Sequence, residues 1–171
     1  MKLYFSGFCL EGEKELFQEY IIENDYTING FSYGAVKALE FAFNSAMMDI
    51  RIDLIQLFSP SFFNDKDEKY KRLQLIHFNK DSQKYCNNFL ENCGLNKDQS
   101  EKYFTLGTAD ELSELLNYKW DQNKLKLLRD NGTKIEVYLG EDDDIIDSQK
   151  ALEFFVNFSE VYFIKNKGHI L

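Results

Sequence analysis

The run Tyr26-Thr27-Ile28-Asn29-Gly30-Phe31-Ser32-Tyr33-Gly34-Ala35-Val36 changes its period at the centre. Residues 26–31 are β-branched and aromatic, which predicts a strand. From Gly34 to Met48 apolar residues recur at Val36, Leu39, Phe41, Ala42 and Ala46, so a helix follows directly. The turn between them has the form Gly30-x-Ser32-x-Gly34. Side chains two before and two after the serine would collide with so tight a turn, and both positions are glycine. Ser32 is therefore expected in a strained backbone conformation, its hydroxyl above the strand end and near the positive end of the helix.

The same alternation continues on both sides. Strands are predicted over 2–5, 52–58, 134–139 and 160–165. Helices are predicted over 11–23 (Leu16, Phe17, Tyr20, Ile21), from a cap at Asp121 through Leu125 and Leu128, and over 149–157 behind Ser148. Strands that alternate with helices give an α/β fold with a mostly parallel sheet of about five strands. Residues 61–118 hold no convincing strand and read as helices over 66–78, 82–93, 97–104 and 109–118. Thr108 to Glu111 forms a capping box before the last. The chain thus divides into an α/β core, 1–60 and 119–171, and a helical lid insertion, 61–118. Right-handed crossovers between neighbouring strands would pile the helices onto one face. The other face would need a helix on a different path or a partner subunit.

Composition narrows the function. The 171 residues suit one domain, and 20 basic against 29 acidic side chains give a net charge of −9. That field excludes non-specific nucleic-acid binding. An apolar content of 44% with 16 Phe and 10 Tyr predicts a packed core or an aromatic pocket. Cys9, Cys86 and Cys93 lack zinc or disulfide spacing and read as reduced buried thiols. No leader pattern and no membrane-length apolar run is present, so the expected location is cytoplasmic.

A serine nucleophile needs a base and an orienting acid, which in this motif class follow in the order Ser, Asp, His. The only histidines are His77 and His169. His77 precedes every acid near the fourth strand and reads as a packed or rim residue of the insertion. His169 follows the fifth strand. The fourth strand ends at Gly140, followed by Glu141, Asp142, Asp143, Asp144 and Asp147. An acid of this run and His169 would meet Ser32 at one rim. Two backbone N–H groups must hold the oxyanion. Tyr33, after the nucleophile, and Phe8, after Ser6-Gly7, are the candidates.

These residues resemble the α/β-hydrolase superfamily, in a reduced version. Its Gly-x-x-Asp acid motif matches Gly140-Glu141-Asp142-Asp143 and selects Asp143, with Asp142 and Asp144 as competitors. The usual His-Gly after the first strand is replaced by Ser6-Gly7. Within the superfamily the chain resembles the BioV-type pimeloyl-acyl-carrier-protein methyl ester esterases. The likeness rests on KLYFSGF at 2–8, GFSYGAVKALE at 30–40, QLFSPSFF at 56–63 and YKRLQLIHFNKDSQKYCNNF at 70–89. KIEVYLGEDDDIID at 134–147 and the terminal GHIL continue it. It implies hydrolysis of the methyl ester of pimeloyl-acyl carrier protein by Ser32, Asp143 and His169, without metal or cofactor. Lid aromatics would line an acyl channel. The acidic carrier would dock on a local basic cluster, Lys69, Lys71 and Arg72. A generic short-chain carboxylesterase or thioesterase, and a non-catalytic hydrolase-like binding module, are the alternatives.

Overall fold

The protein is described by a computed structural model covering residues 3–171. Strands β1 (Leu3–Phe5), β2 (Thr27–Phe31), β3 (Leu54–Phe58), β4 (Lys134–Gly140) and β5 (Glu160–Ile164) form one sheet. All four pairings are parallel, and the strand order is β1-β2-β3-β4-β5. Lys2, placed in the first strand by the sequence, lies outside the described residues. The central strands β2 and β3 are buried at every position, as expected for a parallel sheet.

Helix α1 (Tyr33–Met47) packs on β1, β2 and β3. Helix α6 (Gln122–Asp130) packs on α1 and β4, and α7 (Ser148–Phe155) on β4 and β5. Between β3 and α6 run α2 (Glu68–Lys80), α3 (Ser82–Asn92), α4 (Lys97–Tyr103) and α5 (Ala109–Asn117). The capping box at Thr108 and Glu111 opens α5, and Asp121 caps α6. The cap of α7 is Asp147, which accepts from the Lys150 N–H, and Ser148 is already the first helical residue.

The expected helix over 11–23 is replaced by a short 3-10 turn, Glu13–Phe17. The reason lies on the sheet. Gln56 Oε1 accepts from the Ile22 N–H at 2.7 Å, and Gln56 Nε2 donates to the Tyr20 carbonyl at 3.0 Å. A sheet side chain thus takes the backbone groups that a longer helix would have paired internally. The apolar stripe still serves burial. Phe31, Phe58, Tyr138 and Tyr162 stand in register across four strands. Phe17 packs on Phe31 and Phe58 at ring separations of 4.8 and 5.0 Å, and Tyr20 packs on Tyr138 at 5.4 Å. Residues 13–22 therefore cover the second face of the sheet without a full helix. The cover stops short of β5, where Tyr162 is 42% exposed.

Phe17 is fully buried and bridges two strands. Phe17→Ala is expected to cost about 3–5 kcal/mol in urea unfolding, the range for a buried Phe replaced by Ala.

Candidate active site

β2 ends where α1 begins, and Ser32 is the joint. Its backbone sits at φ 53°, ψ −114°, outside the regions an L-residue prefers. The two glycines are required by contact. A Cβ on Gly34 would lie 1.9 Å from the Phe5 carbonyl oxygen, and one on Gly30 would lie 2.3 Å from that of Gly34. These separations leave no space for any side chain. They also place the start of α1 directly against the end of β1 and Ser6.

The three expected side chains meet. Ser32 Oγ is 2.9 Å from His169 Nε2, and His169 Nδ1 is 2.7 Å from Asp143 Oδ2. The second carboxylate oxygen, Asp143 Oδ1, accepts from the Ile145 and Ile146 N–H groups at 2.7 and 3.1 Å. The acid is therefore fixed from both sides, while Asp142 and Asp144 are exposed to solvent. The His169 loop is anchored twice. The Asp142 N–H donates to the Lys167 carbonyl at 2.9 Å, and a Cβ on Gly140 would meet the Gly168 oxygen at 2.0 Å. From the insertion, the Cys93 carbonyl accepts from the Ile170 N–H at 3.1 Å. Burial, with Asp143 nearby, holds the Cys93 thiol protonated well above its ordinary range.

Ser32 and His169 are buried, at 2% and 0% exposure. Tyr33 ties α5 to α1, its hydroxyl donating to Glu114 Oε2 at 2.5 Å. Burial and that carboxylate push the phenol further up, so Tyr33 stays neutral. The N–H groups of Phe8 and Tyr33 have no hydrogen-bond acceptor among the described residues. Phe8 itself is buried against Phe78 and Phe89. The loop bearing it is zipped to the insertion: Glu11 N–H donates to the Tyr103 carbonyl at 2.8 Å, and Thr105 N–H to that of Cys9 at 3.0 Å.

Of the three cations expected to form a docking cluster, Lys69 and Arg72 are exposed on α2. Lys71 is not with them. It is 6% exposed and lies 3.7 Å from Glu68, because its position turns the stem toward the protein. The cluster of three is corrected to two. A cavity of about 530 Å³ opens between α2, α3 and α5. Its walls include Phe89, Leu112, Leu115 and Leu116, and it reaches Asp144 and Ile145 beside Asp143. Exposed His77, Lys80 and Lys84 rim it. Lys80 ends α2 and Lys84 lies in the first turn of α3, so no spacing along a single helix joins them in the sequence. Among the described residues no group of three or more His, Cys, Asp or Glu side chains is arranged to hold a metal ion, and no helix is long and apolar enough to cross a membrane.

No protein-family model matches the chain, and no curated protein matches it. Solved structures do. BioG from Haemophilus influenzae aligns at a TM-score of 0.61 and 13% identity, over 99% of this chain and 88% of that one. An esterase from Exiguobacterium antarcticum aligns at 0.64 and 15%, over 91% and 63%. Naproxen esterase from Bacillus subtilis aligns at 0.53 and 20%, over 85% and 53%. The chain has a reduced α/β-hydrolase fold. It spans only about half the length of the Bacillus esterase.

Proposed function

We propose that the chain is a serine carboxylesterase that hydrolyses the methyl ester of pimeloyl-acyl carrier protein. The observation carrying the reaction type is the unbroken hydrogen-bonded series Asp143–His169–Ser32 at a strained strand–helix turn. His169 Nε2 takes the Ser32 proton as Oγ attacks the ester carbonyl. The Phe8 and Tyr33 N–H groups stabilise the oxyanion. Collapse expels methoxide, which takes the proton from His169 and leaves as methanol. Water, deprotonated by His169, then cleaves the acyl-enzyme, giving the carboxylate and free Ser32. Asp143 keeps the imidazole in the tautomer that accepts at Nε2.

The choice of substrate rests on the sequence segments resembling the BioV-type esterases. The cavity fits it in part: Phe89, Leu112, Leu115 and Leu116 offer apolar surface to an acyl chain, and Lys80 and Lys84 stand at its rim beside the acids Asp81 and Asp144. We place the carrier's approach at Lys80 and Lys84, joined by His77, with Lys69 and Arg72 further along α2.

The direct test is incubation with methyl-pimeloyl carrier protein followed by intact mass. Loss of one methylene from the carrier-bound chain supports the reading. Release of the carrier thiol means a thioesterase instead, and an unchanged carrier with turnover of free esters means a generic esterase. Lys80→Glu with Lys84→Glu is expected to raise KM for the carrier substrate about tenfold, equivalent to about 1.4 kcal/mol, with a smaller effect on 4-nitrophenyl butyrate. Equal loss on both substrates contradicts the docking site.

A further inference from the structure

Glu13 is a fully buried acid with no place in the reaction described above. It opens the 3-10 turn behind Gly12, whose φ of 78° turns the chain back beneath β1. Its Oε1 accepts from the Gly7 N–H at 2.9 Å and from the Tyr4 hydroxyl at 3.0 Å. Its Oε2 is buried without a hydrogen-bond partner among the described residues. A buried carboxylate served by two neutral donors is costly to keep, and packing alone would favour an apolar side chain.

What Glu13 holds is the segment that carries the Phe8 N–H. The Gly7 carbonyl accepts from the Leu10 N–H at 3.3 Å, so the Gly7–Phe8 peptide is tied at its oxygen by a turn. The Gly7 N–H, one peptide earlier, is tied by Glu13. A Cβ on Gly7 would lie 2.8 Å from the Phe31 ring, so no side chain at that position can wedge the loop instead. Two hydrogen bonds, one on each of the peptides flanking the Gly7 Cα, and one close contact thus set the path of the chain into Phe8.

We infer that Glu13 is a positioning residue: its carboxylate holds the Ser6–Gly7 peptide and, through the Gly7 backbone, sets the Gly7–Phe8 peptide so that the Phe8 N–H is oriented for the oxyanion before substrate arrives. This rests on the serine-esterase reading. Glu13 touches neither substrate nor Ser32, and acts through Gly7. A preorganised donor stabilises the transition state more than the ground state, so its loss falls on kcat.

The test compares Glu13→Ala, Glu13→Asp and Glu13→Gln with the wild type on 4-nitrophenyl butyrate. A trifluoromethyl ketone serves as a probe that adds to Ser32 and presents an oxyanion. Glu13→Ala is expected to lower kcat about 10–100-fold, the scale of an ångström's misplacement, with KM within about threefold. Affinity for the ketone should fall by the same factor as kcat. Glu13→Gln restores an acceptor for the Gly7 N–H and is expected to recover most of the lost kcat. Glu13→Asp, one methylene short, should fall between them, and it is read in place of Ala if Ala does not fold. A kcat unchanged in the Ala or Asp variant overturns the inference. So does a loss confined to KM, or a ketone affinity that does not follow kcat. If the esterase reading itself is wrong, the wild type neither turns over the ester nor binds the ketone, which separates the two failures.

Discussion

Ser32→Ala is expected to lower kcat for ester hydrolysis by about 10⁴–10⁶, the range seen when a triad nucleophile is removed. The fold should not change. Among the described residues Ser32 Oγ bonds only His169 Nε2, and the turn is held by backbone contacts at Gly30 and Gly34 that alanine leaves alone. The Ser32 N–H continues the ladder to the Phe58 carbonyl at 2.9 Å, and its own carbonyl accepts from the Ser61 N–H at 3.1 Å. Neither involves the hydroxyl. Circular dichroism and the urea midpoint should therefore match the wild type while the initial rate with 4-nitrophenyl butyrate falls to background. A variant that keeps more than about a tenth of wild-type kcat contradicts the assignment.

Asp143→Asn is expected to lower kcat by about 10⁴ through a specific geometric route. Two backbone donors, the Ile145 and Ile146 N–H groups, already occupy Asp143 Oδ1. The amide oxygen of Asn must take that position, because an NH₂ there would face two donors. The NH₂ then faces His169 Nδ1 and donates to it. A ring that accepts at Nδ1 carries its proton on Nε2, where Ser32 needs an acceptor. The wrong tautomer is thus enforced by residues outside the triad. The check is kcat over a pH series: the loss should persist across the range, with nothing recovered by a more basic medium. Near-normal activity would mean that another acid, such as Asp142 or Asp144, serves instead.

The elbow is legible in the sequence because Gly30, Ser32 and Gly34 sit where a strand period becomes a helix period. The five strands and the helices of the insertion fall within a few residues of their expected bounds, since each carries its own period and cap. The partners of Ser32 are readable because histidine is scarce, and because acids and His169 each follow a strand end. What stays hidden depends on contacts between distant segments. Gln56 interrupts the helix over 11–23 by taking its backbone groups, and nothing local to that stretch announces it. Glu13 looks like one more acid in Glu11-Gly12-Glu13, and only Gly7 and Tyr4 distinguish it from its exposed neighbour Glu11. Lys71 belongs to the densest basic run, yet its position on α2 faces inward. Lys80 and Lys84 come together at a cavity rim because α2 and α3 pack on each other.

The net charge of −9 also has a location. Five acids fall within 141–147, and one of them, Asp143, is spent internally on His169 and two backbone donors. Another, Asp144, lines the cavity at whose rim Lys80 and Lys84 stand.

That Ser32 is an activated nucleophile is tested most directly by treating the folded protein with a fluorophosphonate, followed by intact mass and peptide mapping. The expected result is a single adduct, on Ser32, formed by displacement of fluoride and absent from Ser32→Ala. No adduct under conditions that label a serine esterase, or an adduct on a different residue, would contradict it.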